Sequence, residues 1–396
     1  MTGRIVVAGA SLGGLRAAEQ LRSAGWTGEI VVVGDEPHMP YNRPPLSKEA
    51  LAGKATFESL AFTPRASAAD VQWRLGTSVT GARLADQVVQ LGDDELSFDG
   101  LVVATGMRPR RLRCAGPTQG RHAVRTLTDA IGLREALTHP GARVVVVGAG
   151  FIGCEVAATA VGLGVAEVTV VEPEPLPMLR PLGDLLAREL LRRHEDRGVR
   201  FELGTGVVGF EGTDRVTAVA LSDGSTLPAD VVVEAVGSIA STEWLQGNGL
   251  DLSDGVLCDD RMRVVGLRNV VAVGDIARYP NARYDGIPRR VEHWSTPGDT
   301  AKRAAKSLVA ELAEAPHDDA VFAPLPSFWS DQYEYRLQSF GVPVLGTGDH
   351  RVLDGDVCGD VVVGYHAGDR LVGVVALGGP KATSSAARYR AKMLTP

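Results

Sequence analysis

One pattern of apolar and polar positions occurs twice along the chain. Residues 4–36 run from a short apolar segment (IVVA) through a glycine-rich turn and a stretch with helical spacing into a second apolar segment, IVVV, which ends near acidic residues. Residues 143–172 repeat this order with VVVV, a second glycine-rich turn, a helical stretch and VTVVE. In each segment the hydrophobic period changes from strand-like to helical, which is typical of a β-turn-α-β unit. The repeat predicts two nucleotide-binding folds in one chain.

Three further apolar segments are predicted to be buried strands, at residues 101–104, 231–236 and 270–273. A glycine follows each segment within two residues. In open α/β sheets, ligands bind at the carboxyl ends of the strands, so these glycines mark predicted ligand contacts. They are Gly106, Gly237 and Gly274.

The last part of the chain has a different pattern. Residues 299–313 have helical spacing, and the following AEAPHDDAVFAPLP is predicted to be a linker. Beyond it, short runs such as DVVVGYH and RLVGVVAL, separated by a Gly-Asp turn, predict antiparallel strands. The predicted fold class is therefore α/β, with two Rossmann-like dinucleotide-binding domains and a small α+β C-terminal domain.

The second glycine-rich turn has the full GxGxxG spacing. Glycines there permit a tight turn, close approach of a pyrophosphate and close helix packing, and the helix N-terminus offers N–H groups to the phosphates. Glu172 ends the next apolar segment, where a carboxylate can accept both ribose hydroxyls and repel a 2′-phosphate, which favours NADH over NADPH. The predicted nicotinamide site consists of Gly148, Gly150, Phe151, Ile152, Gly153 and Glu172.

The first turn departs from this spacing, because Ser11 stands where the middle glycine would be. A serine permits close approach of a pyrophosphate if its φ is negative. Asp35, with Glu36 beside it, is predicted to reach the ribose. Two dinucleotides in one chain indicate electron transfer between a nicotinamide and a flavin adenine dinucleotide. The predicted FAD turn consists of Gly9, Ser11, Leu12, Gly13 and Gly14.

Composition excludes several other classes of protein. The chain has 396 residues, enough for two or three domains, and its net charge of −7 argues against a nucleic-acid partner. The apolar runs are shorter than the ~20 residues that span a bilayer, and the N-terminus does not resemble a secretory signal. The four cysteines are too far apart in sequence for a CxxC or zinc motif. We expect a cytoplasmic protein without a membrane partner or a bound metal.

Several segments together resemble the oxygenase-coupled ferredoxin reductases, the putidaredoxin-reductase-like NADH-dependent flavoproteins. ATG, VGD and the GxGxxG turns are shared by the wider glutathione-reductase-like superfamily, whereas RPPLSK and FWSDQY are much more specific. The resemblance covers nearly the whole chain in the family's order. The segments that carry it are PYNRPPLSK (40–48), LVVATGMRPR (101–110), VVVVGAGFIGCEVA (144–157), VAVGDIAR (271–278), RVEHW (290–294) and FWSDQY (328–333).

The resemblance implies FAD as cofactor, NADH as co-substrate, a ferredoxin as partner, and a monomer or weak homodimer. It implies an FAD-binding domain from residues 1–115 and 243–317, an NAD-binding domain over 116–242, and a C-terminal domain over 318–396. Besides the two turns, the positions that match cofactor-contacting residues of the family are Asp35, Arg43, Pro45, Lys48, Val79, Thr105, Gly106, Arg125, Asp275, Val291, Glu292, His293 and Trp294.

Two segments depart from the family's pattern. VGSIAS places Ala240 and Ser241 where the family has Pro-Asn, and the helix that faces the flavin begins with TPGDT instead of a segment like NAxxQ. Side-chain contacts from this helix are thus in doubt, but its backbone role is not. Thr296 is predicted as the N-cap, with Pro297 at the first helical position and Asp299 in the acidic first turn.

Three residues are predicted to act in catalysis. Lys48 and Glu155 match a family pair near the reactive nitrogen of the flavin, and Trp329 resembles the aromatic residue between flavin and docked ferredoxin. Ferredoxins are usually acidic, so a basic rim would steer docking, although the same residues would also suit ordinary solvated helix faces. The candidate rim residues are Arg289, Arg290, Lys302, Arg303, Lys306 and Arg336.

Three alternatives share this architecture. Disulfide reductases need a cysteine near the flavin, but residues 35–60 contain none, and Cys154 is interpreted as a packing residue. A rubredoxin reductase, or an NADH:quinone or dye oxidoreductase without a protein partner, is the main alternative. An apoptosis-factor-like signalling role lacks support, because no transit peptide or basic tail is evident.

Overall fold

The computed structural model describes residues 3–394. The chain forms two compact units, each assembled from three separate stretches of sequence. The first unit consists of Met1–Asn42, Ala61–Arg108 and Ile239–Pro326, and the second of Arg43–Leu60, Pro109–Ser238 and Ser327–Pro396.

Strands and helices alternate around the two glycine-rich turns. In chain order the strands are β1 (Arg4–Ala8), β2 (Glu29–Val33), β3 (Gln72–Arg74), β4 (Gly81–Arg83), β5 (Val88–Leu91), β6 (Asp94–Ser97), β7 (Gly100–Val103), β8 (Met107–Pro109), β9 (Arg121–His122), β10 (Arg143–Val147), β11 (Glu167–Glu172), β12 (Arg200–Leu203), β13 (Val207–Glu211), β14 (Ala218–Leu221), β15 (Thr226–Pro228), β16 (Val231–Glu234), β17 (Ser238–Ala240), β18 (Val256–Leu257), β19 (Val270–Ala272), β20 (Ala277–Tyr279), β21 (Arg289–Arg290), β22 (Ser327–Gln332), β23 (Tyr335–Gly341), β24 (His350–Gly355), β25 (Val361–Ala367) and β26 (Arg370–Gly378). The helices are α1 (Leu12–Ser23), α2 (Phe57–Leu60), α3 (Leu127–Leu137), α4 (Phe151–Gly162), α5 (Leu179–Glu195), α6 (Thr296–Leu312) and α7 (Pro380–Leu394). The strands β3–β9 and β12–β21 follow one another without an intervening α-helix.

The first unit is built on a five-stranded sheet in the order β19-β7-β1-β2-β3. All four pairings in it are parallel. The valine and isoleucine side chains of β1, β2 and β7 are fully buried, as expected for a parallel sheet that is covered on both faces. The helices α1 and α6 pack against each other in this unit.

The second unit contains a second parallel sheet, in the order β12-β11-β10-β16-β9. Its last stretch of sequence forms a five-stranded sheet in the order β22-β23-β26-β25-β24, in which every pairing is antiparallel. Helix α7 packs against β26. The sheets of both units place strand ends and helix starts at the predicted glycine-rich turns.

The predicted fold class is confirmed. The repeated pattern forms β1-α1-β2 in one unit and β10-α4-β11 in the other, and the three additional apolar segments form β7, β16 and β19. The two C-terminal runs form the antiparallel pair β25 and β26. The predicted linker contains no helix or strand, and its Phe322 packs against the core of the first unit.

The predicted start of α6 is wrong by one residue. Ser295 holds the N-cap position with a helical backbone (φ −75°, ψ −25°), and Thr296 is the first helical residue. The helical turn thus begins before Thr296, whose hydroxyl is buried and makes no hydrogen bond to any residue within 3–394. Asp299 lies in the acidic first turn, as predicted. No helix within residues 3–394 is long and apolar enough to cross a membrane.

Candidate functional site

The turn after β1 is shaped by close backbone contacts. Gly9 has φ +121°, and a Cβ atom there would lie 2.2 Å from the carbonyl oxygen of Ala104. A Cβ atom at Gly14 would lie 1.9 Å from the carbonyl oxygen of Gly9, so both positions require glycine. Ser11 has φ −106°, the negative value predicted for a serine in place of glycine, and it precedes α1 as its N-cap. Leu12 and Gly13 form the first turn of that helix.

The ATG turn after β7 is tied to a segment that differs from the family's pattern. The Thr105 hydroxyl donates to the carbonyl oxygen of Ser241 at 2.8 Å and accepts a bond from Trp244 Nε1 at 3.2 Å. The amide N–H of Ser241 donates to the carbonyl oxygen of Gly106 at 3.0 Å. Sequence reasoning did not identify Ser241 or Trp244 as supports of this turn.

The turn after β19 is held by a residue of α6. Thr300 is fully buried, and its hydroxyl accepts a bond from the Gly274 amide at 3.0 Å while donating to the Thr296 carbonyl oxygen at 2.6 Å. Asp275 follows this glycine and is partly exposed. Sequence reasoning missed Thr300, although its position in the departing TPGDT segment marked it as a residue to examine.

The register of the parallel strands places Asp35 one residue further from the end of its strand pairing than Glu172. Ala8 pairs with Val33 in β2, and Val147 pairs with Val171 in β11. The residue after Val171 is Glu172, whereas the residue after Val33 is Gly34, so Asp35 lies one position further along. Asp35 is exposed, and the neighbouring Glu36 accepts a bond from the Tyr41 hydroxyl at 2.6 Å. The contact of Asp35 with a ribose stays a prediction.

The remaining predicted contacts of the first unit lie in half-buried or exposed segments. Val79 packs against the core of the unit. Glu292 forms an ion pair with Arg290, with 2.8 Å between the carboxylate oxygen and the guanidinium nitrogen. Val291 and His293 are half-buried, whereas Trp294 is 43% exposed. Their contact with FAD stays a prediction.

The turn after β10 has the geometry of a dinucleotide site. Gly148 has φ +99°, and a Cβ atom there would lie 2.4 Å from the carbonyl oxygen of Ala235. A Cβ atom at Gly153 would lie 2.0 Å from the Gly148 carbonyl oxygen, which requires glycine where helix and strand meet. A Cβ atom at Gly150 would meet nothing within 4 Å, so open space faces the middle glycine, where a pyrophosphate is expected. Gly237, after β16, also faces open space.

Aromatic and apolar side chains follow this turn. Phe151 and Ile152 begin α4, and Ile152 is 49% exposed. The ring of Phe151 meets the ring of Phe328 edge-to-face, with centroids 4.9 Å apart. This packing fixes the first residue of the helix against the strand that carries Trp329.

Glu172 lies at the end of β11, next to the glycine-rich turn. Its carboxylate accepts the amide N–H of Ala149 at 2.7 Å and that of Glu174 at 3.1 Å. These bonds hold the negative charge beside the turn. A 2′-phosphate brought to the same place would meet a fixed like charge.

We expect Glu172→Ala to lower the preference for NADH over NADPH by about tenfold or more, because the repulsion of a 2′-phosphate is removed. Steady-state kcat/KM for both nucleotides measures this ratio. Glu167→Ala, at the exposed beginning of the same strand, is the matched control and should leave the ratio unchanged. Equal kcat/KM for NADH and NADPH in the unaltered protein would contradict the assignment.

Lys48 and Glu155 form a buried ion pair, with Lys48 Nζ 2.9 Å from Glu155 Oε2. The side chains are 11% and 7% exposed. Glu155 is the fifth residue of α4, and Lys48 directly follows the short 3-10 turn Pro44–Ser47. The pair that the resemblance implied is therefore assembled here, and its role beside the flavin stays a prediction.

Hydroxyl groups complete the surroundings of this carboxylate. Ser47 Oγ donates to Glu155 Oε2 at 2.5 Å, and Ser330 Oγ donates to Glu155 Oε1 at 2.7 Å. Thr159, one turn further along α4, donates to the Ser47 carbonyl oxygen at 2.8 Å. Both carboxylate oxygens thus have partners, which offsets the cost of burying the charge. Sequence reasoning missed Ser330, which lies 175 residues from Glu155 in the chain.

Three other predicted FAD contacts, Arg43, Pro45 and Arg125, lie in the segments next to Lys48 or are hydrogen-bonded to them. Arg43 donates to the carbonyl oxygen of Arg125 at 2.6 Å, and the Arg125 amide donates to Asp129 at 3.1 Å. Pro45 lies in the 3-10 turn that ends before Lys48. Their contact with FAD stays a prediction.

Trp329 is half-buried on β22, on the face opposite to Ser330. The Arg336 guanidinium lies 5.9 Å from the centre of its ring, and Arg336 Nε also pairs with Asp331 at 2.6 Å. The tryptophan is therefore held among residues of the same hairpin.

The expected basic rim does not form a surface of uncompensated charge. Arg303 is only 7% exposed and donates to backbone carbonyl oxygens, so its assignment to a rim is wrong. Four other residues each have an acidic partner, which cancels much of their field. These pairs are Arg289–Asp285, Arg290–Asp254, Lys306–Asp318 and Arg336–Asp331, while Lys302 is exposed.

His194 is a fully buried histidine in the second unit. Burial lowers its pKa to about 4. In the unfolded chain a histidine has a pKa of about 6.5. Between pH 4 and pH 6.5, about the two pKa values, the unfolded chain therefore binds more protons than the folded protein. The stability that neutral His194 allows is therefore present above about pH 6.5 and is lost as the pH falls toward 4.

We expect the free energy of unfolding to decrease by about 3 kcal/mol more in the original protein than in His194→Phe as pH falls from 7 to 4. Urea unfolding at several pH values measures this difference. His139→Ala replaces an exposed histidine and should keep the original pH dependence. Parallel curves for the original protein and His194→Phe would show that another group causes the pH dependence.

Two of the four cysteines are too deeply buried for thiol chemistry. All four are free, and Cys154 and Cys258 are buried. Burial raises the pKa of both thiols well above the usual range, so neither forms the reactive thiolate at neutral pH.

The two parallel sheets, each with a glycine-rich turn after its central strand, have the architecture of an oxidoreductase with two nucleotide sites. A family model described as pyridine nucleotide-disulphide oxidoreductase matches residues 3–300, and one described as reductase C-terminal matches residues 327–393. The chain belongs to the pyridine nucleotide-disulphide oxidoreductase family. FAD and NAD(H) are accordingly its cofactor and co-substrate, and the two glycine turns fit their phosphates.

Relatives cover nearly the whole chain. Putidaredoxin reductase from Pseudomonas putida is 38% identical over 388 residues, which span 95% of this chain and 89% of that protein. The ferredoxin--NAD(+) reductase component of a p-cumate 2,3-dioxygenase system from Pseudomonas putida is 35% identical, over 98% and 92% of the two chains. The crystal structure of a covalent putidaredoxin reductase–putidaredoxin complex is similar with a TM-score of 0.89 and 35% identity, over 99% and 94% of the chains.

Proposed function

We propose that this protein is an NADH-dependent ferredoxin reductase. It passes electrons from NADH through FAD to a ferredoxin with a [2Fe–2S] or similar cluster, which supplies a cytochrome P450 or another oxygenase. The observation that carries the proposal is the similarity over 99% of the chain to a reductase in complex with its iron–sulfur partner, with a TM-score of 0.89. That similarity includes the C-terminal sheet with Trp329, and it favours a protein acceptor.

When bound, FAD accepts a hydride from NADH and releases electrons one at a time. The protein's task is to hold the two nucleotides, place charge near the reacting ring and provide an exit for electrons. The turn at Gly148–Gly153 would hold the pyrophosphate of NADH, and Glu172 would accept its ribose hydroxyls. The turn at Gly9–Gly14 would hold the pyrophosphate of FAD.

Charged groups of the chain would then favour hydride transfer. The Lys48 ammonium is fixed by Glu155, so its position does not depend on a flexible side chain in water. The N-terminal end of α6 supplies a positive dipole end. Trp329 would lie on the path by which electrons reach the ferredoxin.

The proposal also places the protein in the cytoplasm. All four cysteines are free, which suits a reducing compartment. A rubredoxin reductase or a quinone reductase is the alternative, because reduced flavin can react with either acceptor.

The acceptor class is tested with the FAD-loaded protein. Stopped-flow reduction by NADH is followed by turnover with [2Fe–2S] ferredoxins coupled to cytochrome c, with a rubredoxin, and with a quinone. We expect kcat/KM to be highest for a ferredoxin. A quinone or rubredoxin that exceeds every ferredoxin would replace the proposal with the alternative.

A further inference from the structure

A chain of buried hydrogen bonds leads away from the Glu155 carboxylate. Beyond Ser330, which donates to Glu155, the Gln332 amide nitrogen donates to Ser330 Oγ at 3.0 Å. Gln332 Oε1 lies 2.9 Å from His194 Nε2, and the Tyr333 hydroxyl lies 3.0 Å from His194 Nδ1. Ser330, Gln332 and His194 are at most 1% exposed. We call Tyr333, His194, Gln332 and Ser330 the donor chain.

The direction of these bonds follows from the groups themselves. The Gln332 oxygen can only accept, so the proton of neutral His194 lies on Nε2, and Nδ1 accepts from the Tyr333 hydroxyl. The histidine is neutral near pH 7, because burial lowers its pKa to about 4. Each member therefore donates toward Glu155. Hydrogen bonds aligned in one direction polarise one another and strengthen the last bond, here to a carboxylate.

The backbone of the β22–β23 hairpin places these groups. Side chains alternate along a strand, so Ser330 and Gln332 share the face of β22 that packs on α4, while Trp329 lies on the other face. The hairpin turns through Tyr333, which has φ +53°, a left-handed conformation that is uncommon for a bulky residue. The Arg197 guanidinium lies 4.5 Å from the centre of the tyrosine ring. A two-residue hairpin turn needs a positive φ at its first residue, so the turn itself fixes this conformation and, with it, the position from which Tyr333 reaches His194.

We infer that Ser330, Gln332 and His194 are positioning residues for the Lys48–Glu155 pair: they hold the carboxylate in one orientation and thereby fix the place of the ammonium. This inference rests on the proposed role of that pair beside FAD. The amide of Gln332 interrupts any route for protons, so the donor chain orients the carboxylate and does not deliver protons to it.

The test is the reduction of bound FAD by NADH in a stopped-flow instrument, which separates the limiting rate from the Kd of NADH. We expect Ser330→Ala to lower the limiting rate about five- to tenfold and to leave the Kd within about twofold, since the Gly148–Gly153 turn and Glu172, which would hold NADH, are unchanged. The absorption bands of oxidised FAD should shift, because they respond to charge near the ring. Ser330→Thr keeps the hydroxyl and should restore both the rate and the spectrum.

Ser339→Ala is the matched control. Ser339 is a fully buried serine on the neighbouring strand β23, and its hydroxyl makes no hydrogen bond within the described residues. Its replacement removes the same atom from the same sheet without touching the donor chain. It should change neither the limiting rate nor the spectrum.

Two variants that do not touch Glu155 extend the test. Gln332→Met and His194→Phe break the donor chain one and two steps further away, and we expect the limiting rate to fall about two- to fivefold in each. These variants also decide the matter if threonine does not fit at position 330.

Three results would overturn the inference. The first is that Ser330→Ala, Gln332→Met and His194→Phe all behave like Ser339→Ala. The second is a raised Kd of NADH with an unchanged limiting rate in these variants. The third is loss of FAD binding as their sole effect. The FAD-reduction step involves no ferredoxin, so these results are independent of whether the acceptor is a ferredoxin.

Discussion

Glu155→Leu is expected to lower the free energy of unfolding by about 3–5 kcal/mol, the usual cost of leaving one partner of a buried ion pair without the other. The Glu155 side chain is 7% exposed, and its removal would leave the Lys48 ammonium buried beside an apolar side chain. The hydroxyls of Ser47 and Ser330 would also lose their acceptor. Chemical denaturation of the variant and the original protein measures the difference.

The double variant Lys48→Met/Glu155→Leu distinguishes the effect of an unpaired buried charge from other effects of changing position 155. Because it removes both charges, it should recover much of the lost stability. The exposed pair Arg83–Glu95 is a control, since its side chains are 44% and 49% exposed, and Glu95→Leu should cost much less stability than Glu155→Leu. If Glu155→Leu costs no more than Glu95→Leu, the pair is not buried in the folded protein.

Trp329→Ala is expected to lower ferredoxin-dependent cytochrome c reduction at least about tenfold, equivalent to about 1.4 kcal/mol of transition-state stabilisation. NADH-to-ferricyanide turnover should stay largely intact, because that small acceptor needs no docking surface. The turn predicted to bind the nicotinamide nucleotide lies at the start of α4, whereas Trp329 lies on β22, so the two half-reactions should respond differently. Both turnover rates are measured on the same preparations.

Trp329→Phe is the matched variant, because it keeps an aromatic ring within reach of Arg336. It should retain more ferredoxin-dependent activity than the alanine variant. A parallel fall of both activities in Trp329→Ala would mean that the tryptophan packs the flavin site. If neither activity falls, the ferredoxin docks elsewhere.

The sequence predicted those features that depend on neighbouring residues. Alternation of apolar segments with helical stretches located both β-turn-α-β units, because hydrophobic periodicity reflects burial within each segment. Glycine spacing located both turns, since only glycine permits the close contacts at Gly9 and Gly153. The predicted start of α6 was one residue too late. The end of this helix is set by the helical backbone of Ser295 and not by the capping preference of Thr296.

Contacts between distant parts of the chain could not be predicted in this way. His194 and Gln332 are 138 residues apart, and no local pattern joins them. The one available signal was the alternation in FWSDQY, where polar Ser330 and Gln332 share a strand face. The sequence could not decide between a basic rim and ordinary solvated helix faces for a similar reason, since partners such as Asp254 and Asp318 come from other segments.

Electrons from NADH are expected to leave this protein one at a time to an iron–sulfur partner. The most direct measurement is an anaerobic titration of the FAD-loaded protein and excess oxidised [2Fe–2S] ferredoxin with NADH, followed by the absorbance and electron paramagnetic resonance of the cluster. The account predicts two reduced ferredoxins for each NADH, because a hydride carries two electrons. NADH oxidation with ferricyanide or a quinone, but without reduction of any ferredoxin tested, would contradict it.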